Sequence, residues 1–426
     1  MATVDSGQTA AQQKLAAAFA HNAAVLDQTL WKWIPFGTTA GTSQPAFALN
    51  QSYSFGLSKT STYLDKIRIF LANVPITVTE GTGTSPAALL TSGGLWSVLG
   101  TLHVALGRDV YRVRAGLLPL LLSTFQKFGR TYHYPGMFSY PYSSLLYGST
   151  NGSTTSTDIL TGAGTNVVSG YLDVPMTLLE AVKDPDGIMP TLSEAGVSVT
   201  FTTQPTLTPP TGAVADALSY PFVTTGGTTV ALGTNASGNT GSIFVMAHAA
   251  LFKTVTSTAA LPPFEAGVGF QVLEQTQTPD TPTNFFATFQ GQSSNVKLVK
   301  SVLVLNNPGE VTAAFGDPTQ ITTLDLMYDA SEEAVPDSST NNPPDSFVMN
   351  RLIDQRARYG DLPANVFVFD FASGTDAEYP NDYNFLDLSL FKNAGVRINR
   401  KNAWQAGAQA VFCNMYLNPT LYNAAL

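Results

Sequence analysis

Apolar and polar residues alternate with a period of two along much of the chain. Ile67, Ile69 and Leu71 alternate with Arg68 and Phe70, until Pro75 and Gly81 break the run. Leu102, Val104 and Leu106 alternate with His103 and Ala105 and end at Gly107, and Val197, Val199 and Phe201 alternate with Ser198 and Thr200. Near the end, Val411, Cys413, Met415 and Leu417 share one face, opposite Ala410, Phe412, Asn414 and Tyr416. Successive side chains of a strand point to opposite faces, so this period predicts β-strands. It also predicts that Cys413 is a buried core thiol, since an unpaired Cys behaves as a small hydrophobe. Further short strands are expected at Val366 to Phe371, Phe385 to Leu390, Gly395 to Asn399 and Ala408 to Leu417.

Two stretches depart from that period. In the first thirty residues Thr9 and Gln12 fit a capping box, and Leu15, Phe19, Leu26 and Leu30 follow at spacings of four, seven and four. That predicts an Ala-rich helix with one apolar stripe, which either packs on its own domain or docks as an arm on a neighbouring subunit or a membrane surface. Trp31 and Trp33 flank Lys32 just after it, as suits a strand or an anchoring elbow. The second helix follows Pro343-Pro344, with Asp345 or Ser346 as cap. Its apolar face is Val348, Met349, Leu352 and Ile353, its basic residues are Arg351, Arg356 and Arg358, and Gly360 and Pro363 stop it.

Long polar loops are expected at 148–164, nearly all Gly, Ser, Thr and Asn, and at 204–240, which is Pro- and Gly-rich. The stretch 256–293 carries Pro262, Pro263, Pro279 and Pro282 with few periodic runs, and reads as a linker between domains. Many short strands, few helices and long loops make a sandwich pattern, of which the jelly roll is one form. At 426 residues there is room for two or three domains with large cores.

Composition narrows the function. Charged residues are 12% of the chain, about half of the roughly 25% usual in soluble proteins. Neutral faces of that kind suit surfaces buried in an assembly. The net charge of −9 leaves no basic stripe to neutralise phosphates, which argues against direct nucleic-acid binding. The longest apolar run, Ala115 to Leu122, is far too short to span a membrane and contains Pro119. The opening MATVDSGQ has an acid where a secretion signal carries basic residues, so synthesis inside the cell is expected. A single cysteine excludes an internal disulfide framework and any zinc site built on several cysteines.

Candidate chemistry is sparse. No phosphate-binding glycine loop, HExxH or GxSxG occurs. His21, His103, His133 and His248 are scattered one per segment. His133 lies among Tyr132, Tyr134, Tyr140 and Tyr142, a cluster that suits packing between strands better than stacking on a sugar or base. Asp184-Pro185-Asp186-Gly187 begins like a calcium loop but lacks the later acids and the closing Glu. Asp370, Asp376, Glu378 and Asp382 read as a solvated loop before they read as an oxygen-lined cation site. No catalytic residue, cofactor or metal ligand is assigned, and an enzyme is not expected.

Several segments, in order, resemble the double jelly-roll major capsid proteins of tailless, membrane-containing viruses, in particular the tectivirus type that infects bacteria. They are TAAQQKLAAAFAHNAAVLDQTL; LDKIRIFLANV with the later LGRDVYRVRAG; YLDVPMTLLEAVKDPDGIMP with the VSVTF strand; FVMNRLIDQRARYGDLPANVFVFDF; and LDLSLFKNAGVRINRKNAWQAGAQAVFCNMYLN. The resemblance covers most of the chain as order and pattern. It implies a mainly all-β fold of two tandem eight-stranded jelly rolls with a few short helices. The divisions would be an arm helix at 1–30, a first jelly roll at 31–255, the linker at 256–293 and a second jelly roll at 294–426. A helix between strands of the first jelly roll is implied as well, and Leu117 to Lys127 is its best candidate despite Pro119. The implied function is a structural protein of the virion. Homotrimers would form pseudo-hexagonal capsomers that tile an icosahedral shell over an inner membrane, and the protein would be made in the host cytoplasm. Its partners would be itself, neighbouring capsomers, penton and minor capsid proteins, and the membrane through the arm residues Leu15, Phe19, Leu26 and Leu30. The competing reading is a surface β-sandwich adhesin or carbohydrate-binding protein.

Overall fold

The computed structural model describes residues 29–38, 44–58, 63–83, 87–91, 93–125, 139–140, 143–149, 159–160, 163–176, 196–210, 218–234, 237–252, 269–279, 283–289, 297–307, 320–329, 331–332, 362, 366–371 and 386–418. These residues are mainly strands. One sheet runs in the order Thr29–Pro35, Ser242–Phe252, Tyr63–Thr79, Gly164–Pro175, Ser143–Ser149 and Ser139–Tyr140, with Thr229–Leu232 also paired to Tyr63–Thr79. Alternation sorts its two faces. Ile67, Ile69 and Leu71 are buried together with Ile243, Val245 and Ala247, whereas Arg68, Phe70, Phe244 and Met246 stay half-exposed on the other side.

Pro75, expected to break its run, lies inside the strand Tyr63–Thr79. The reason is the pairing. Ser242–Phe252 pairs only up to Ala72, and Thr229–Leu232 takes over from Ile76. Pro75 falls between the two partners, where its missing N–H breaks no ladder bond on that side.

The second large sheet joins the two halves of the chain. Its order is Gly37–Thr38, Ser52–Leu57, Val197–Thr202, Thr101–Leu106, Arg108–Arg114, then Gly269–Gln277, Gln409–Asn418, Lys297–Asn306 and Val366–Asp370. The crossing is a parallel pairing, Tyr111 opposite Val272 and Arg112 opposite Leu273. A four-stranded sheet of Asn284–Thr288, Ala394–Arg400, Ile321–Tyr328 and Ser331–Glu332 completes the second sandwich, and Ile159–Leu160, Ala87–Leu90 and Phe222–Thr225 form a separate small sheet.

The stretch read as a linker, 256–293, therefore contributes two strands, Gly269–Gln277 and Asn284–Thr288. Pro279 and Pro282 fall in the sequence between them. The loop expected at 204–240 includes the strands Phe222–Thr225 and Thr229–Leu232 and buries Leu207, Leu218, Phe222 and Val230. Of the stretch Phe385 to Leu390, expected as a strand, the described residues from Leu386 onward form a bridge at Leu386 followed by a 3-10 turn, Leu388–Leu390. There the Asp387 carboxylate accepts from the Ser389 N–H at 3.1 Å, a local bond that competes with strand pairing.

A helix at Leu118–Phe125 follows a 3-10 turn at Ala115–Leu117, close to the expected 117–127. Pro119 is tolerated because it falls in the first turn, where backbone N–H groups have no helical acceptor. The expected helix at 345–360 lies outside the described residues, as does most of the 148–164 loop.

Candidate functional site

The most strongly built polar contacts lie where the two halves meet. Arg114, the last residue of its strand, presents both backbone and side chain to Glu274 on the adjoining parallel strand. The Glu274 carboxylate accepts from the Arg114 N–H at 2.8 Å and from its guanidinium Nε at 2.9 Å. The same guanidinium reaches the Gln409 side-chain oxygen at 3.0 Å and the Thr276 hydroxyl at 3.3 Å. Gln271 adds a bond from its side-chain amide to the Asp109 carbonyl at 2.6 Å. Both charges of the Arg114–Glu274 pair are largely withdrawn from water, so each depends on the other for compensation.

A second contact crosses the seam at the helix Leu118–Phe125. The Lys300 ammonium donates to the Thr124 carbonyl at 2.8 Å and pairs with Asp370 at 3.1 Å. A cation at the C-terminal turn of a helix meets unsatisfied carbonyls and the negative end of the dipole. Around it the helix residues Leu118, Leu120, Leu121 and Leu122 share one apolar cluster with Val302, Val304, Val366, Val368, Val411 and Cys413 of the second half. The opposite face of those same strands, with Leu303, Leu305, Phe367, Phe369, Ala410 and Phe412, belongs to the core of the second sandwich. Strands buried on both faces explain the near-continuous apolar runs VLVL, VFVF and AVFC. Cys413 is fully buried, and burial first, then the Glu274 charge, pushes its thiol well up, with Arg114 acting in the opposite sense.

The outer face of the first sheet carries a different construction. His248 stacks on Trp31 with centroids 5.0 Å apart and packs on Trp33 at 4.8 Å. The Arg68 guanidinium lies 4.5 Å from the Trp33 ring and 3.7 Å from Tyr171, and holds the buried Asp173 carboxylate through two bonds of 2.5 and 2.7 Å. Phe70 and Phe244 stack beside it at 4.6 Å. Trp33 is thus engaged by both His248 and Arg68, which leaves it poorly placed as a sugar platform.

Of the expected arm residues, Leu15, Phe19 and Leu26 lie outside the described residues. Leu30 does not continue a helical stripe. It stands in the strand Thr29–Pro35, opposite Leu251, and is 56% exposed. His21, His133, Asp184, Asp186, Asp376, Glu378 and Asp382 also lie outside, and Asp370 is the strand residue paired with Lys300. His103 meets Asp109 at 2.6 Å near the surface. Among the described residues no three His, Cys, Asp or Glu side chains are grouped to hold a metal ion. Sequence reasoning did not single out the Arg114–Glu274 pair, because nothing in a one-dimensional pattern pairs residues 160 positions apart.

With this geometry in view, the chain was compared with known proteins. No family model matches it, and no curated protein matches its sequence. Solved structures do. The STIV MCP aligns with a TM-score of 0.53 at 12% identity, over 93% of this chain and 99% of that one. The structure of Sulfolobus Turreted Icosahedral Virus gives 0.51 at 13%, over 94% of each chain. PBCV-1 VP54 gives 0.55 at 11%, over 91% of this chain and 93% of that one. These are double jelly-roll major capsid proteins. The chain has the double jelly-roll fold. At such identities the likeness is one of fold, and it extends across both jelly rolls. The nine-stranded sheet is the element that joins one jelly roll to the other.

Proposed function

We propose that the protein is a major capsid protein of a virion, and that it assembles as a homotrimer into pseudo-hexagonal capsomers of an icosahedral shell over an internal membrane. The observation that carries this reading is the double jelly-roll fold matched over more than nine tenths of the chain. The seam supports it. Two sandwiches clamped by a shared sheet, Arg114–Glu274 and Lys300–Thr124 form a stiff building block, as a shell subunit requires. The low charge content agrees, because weakly charged contact faces avoid heavy desolvation on assembly.

On this reading its partners are further copies of itself, neighbouring capsomers, penton and minor capsid proteins, and the membrane through the residues before Thr29, with no direct contact to nucleic acid. The native mass is the first test. One chain is 45.2 kDa, and light scattering after size exclusion should return three times that value. A monomer at every concentration overturns the trimer. Deleting residues 1–26 tests the arm: trimers should persist while shell assembly weakens, and unchanged assembly removes the arm from the mechanism.

A further inference from the structure

In the second jelly roll the strand Ala394–Arg400 runs into a loop, RKNAWQAG at 400–407. Arg397, Arg400 and Lys401 place three cations within five residues, in a chain whose net charge is −9. The loop is exposed at 401–403 and at 405–407, whereas Trp404 between these stretches turns inward and is half-buried. Its ring meets Phe285 edge-on, with centroids 6.4 Å apart, and the Arg400 guanidinium lies 4.4 Å from it. Arg400 is itself buried. Three bonds pin the loop. The Lys401 N–H donates to the Gln320 carbonyl at 2.8 Å, and the Asn402 amide to the Gln320 side-chain oxygen at 2.8 Å. The Gln405 N–H donates to the Asn307 side-chain oxygen at 2.9 Å.

That last bond brings the Asn307 side chain up to the residue beside Trp404. Asn307 is fully buried, at 0% exposure. Its oxygen is used, but its amide nitrogen has no hydrogen-bond partner among the described residues. The Trp404 indole nitrogen has none either, although both atoms are shut off from water. A buried N–H without an acceptor is costly, and such a group in a folded protein marks a place for a water or an ion. Here two of them lie together, beside a buried guanidinium. Amide N–H, indole N–H and guanidinium are all donors.

We infer that the loop at 401–407 holds a small oxyanion of the phosphate or sulfate class, seated among Asn307, Trp404 and Arg400. A cation gains nothing from a lining of donors. An oxyanion has an acceptor on every oxygen, takes both N–H groups at once, and forms the stronger, charge-assisted kind of bond with them. The exposed stretches on either side of Trp404 give it a way in from solvent. Once bound, it ties the loop to the end of the strand Lys297–Asn306, which Asn307 directly follows. The site lies wholly within the second jelly roll and is independent of the capsid reading.

The test titrates the full chain with sodium phosphate and with sodium sulfate at fixed pH and ionic strength, with chloride as the reference salt. Tryptophan fluorescence and the thermal unfolding midpoint are followed together. A ligand that binds only the folded state raises the midpoint along a binding curve, so both readouts should saturate with either oxyanion and stay flat with chloride. General salting-out by these ions rises without saturating and is the same in every variant. Trp404→Phe keeps a ring against Arg400 and Phe285 but removes the N–H, and should weaken oxyanion binding at least tenfold. Asn307→Asp keeps the acceptor for Gln405 and turns the other donor into a carboxylate oxygen, with a loss at least as large. If neither readout saturates, the place holds water alone and the inference falls. It falls equally if Trp404→Phe binds phosphate as the wild type does. Should Trp404→Phe fail to fold, Asn307→Asp decides in the same way.

Discussion

At the scale of single residues, burial and local bonding set two testable properties. Cys413 touches Val302 across the ladder and lies in the cluster that spans the seam. Cys413→Ser places a hydroxyl there without an assured partner and should cost about 1–3 kcal/mol in denaturant unfolding. Rapid labelling of the native thiol would contradict its burial. Asp387 is the opposite case, near the surface. The Lys297 ammonium first, then Ser389, lower its carboxyl from 3.8 to about 2. The pair therefore stabilises the fold above pH ~4, the unfolded value, and that contribution is lost as pH falls toward 2. Replacing Lys297 by Met should return the Asp387 titration, followed by NMR, most of the way toward 3.8. The Cys413 environment was legible in the alternation of its strand. Asp387 was not, because its stretch reads as a strand until the Asp387–Ser389 bond is known.

At the scale of elements, the seam shows how strands and one helix are tied across distant sequence. Arg114 ends one strand and Glu274 lies in another, and together they hold the single parallel junction of the nine-stranded sheet among the described residues. Glu274→Leu leaves the Arg114 guanidinium largely buried without its carboxylate. The expected loss is about 3–5 kcal/mol, the range for breaking a buried pair by removing one partner. Equilibrium unfolding measures it, and a change near zero would mean that water compensates the cation. The helix Leu118–Phe125 was expected, as 117–127, only from the family resemblance. Its role as the roof over another sheet was not expected, since that depends on Lys300, Val302 and Cys413 arriving from the far end of the chain.

At the scale of the whole molecule, the two jelly rolls act as one block. Valines of the second half, such as Val304 and Val368, pack in the same cluster as Leu71 and Val104 of the first. If the chain is a shell subunit, as proposed above, load would pass through this continuous sheet and core. The trimer mass and the effect of removing residues 1–26 are predictions at this scale.

The helix at 117–127 was expected only from the family resemblance; the β character and the alternating strands at 67–71, 102–106, 197–201 and 408–417 were legible in the sequence alone. These follow from periodicity, turn residues and composition, which are local. Long-range packing alone settled that 256–293 supplies strands, that Leu30 lies in a strand paired with Ser242–Phe252, and that Pro75 sits inside a strand without breaking it. It alone paired Arg114 with Glu274 and Arg68 with Asp173. Each of these depends on which segment lies alongside, and a strand's partner is chosen by packing over long sequence separations, which no local pattern encodes.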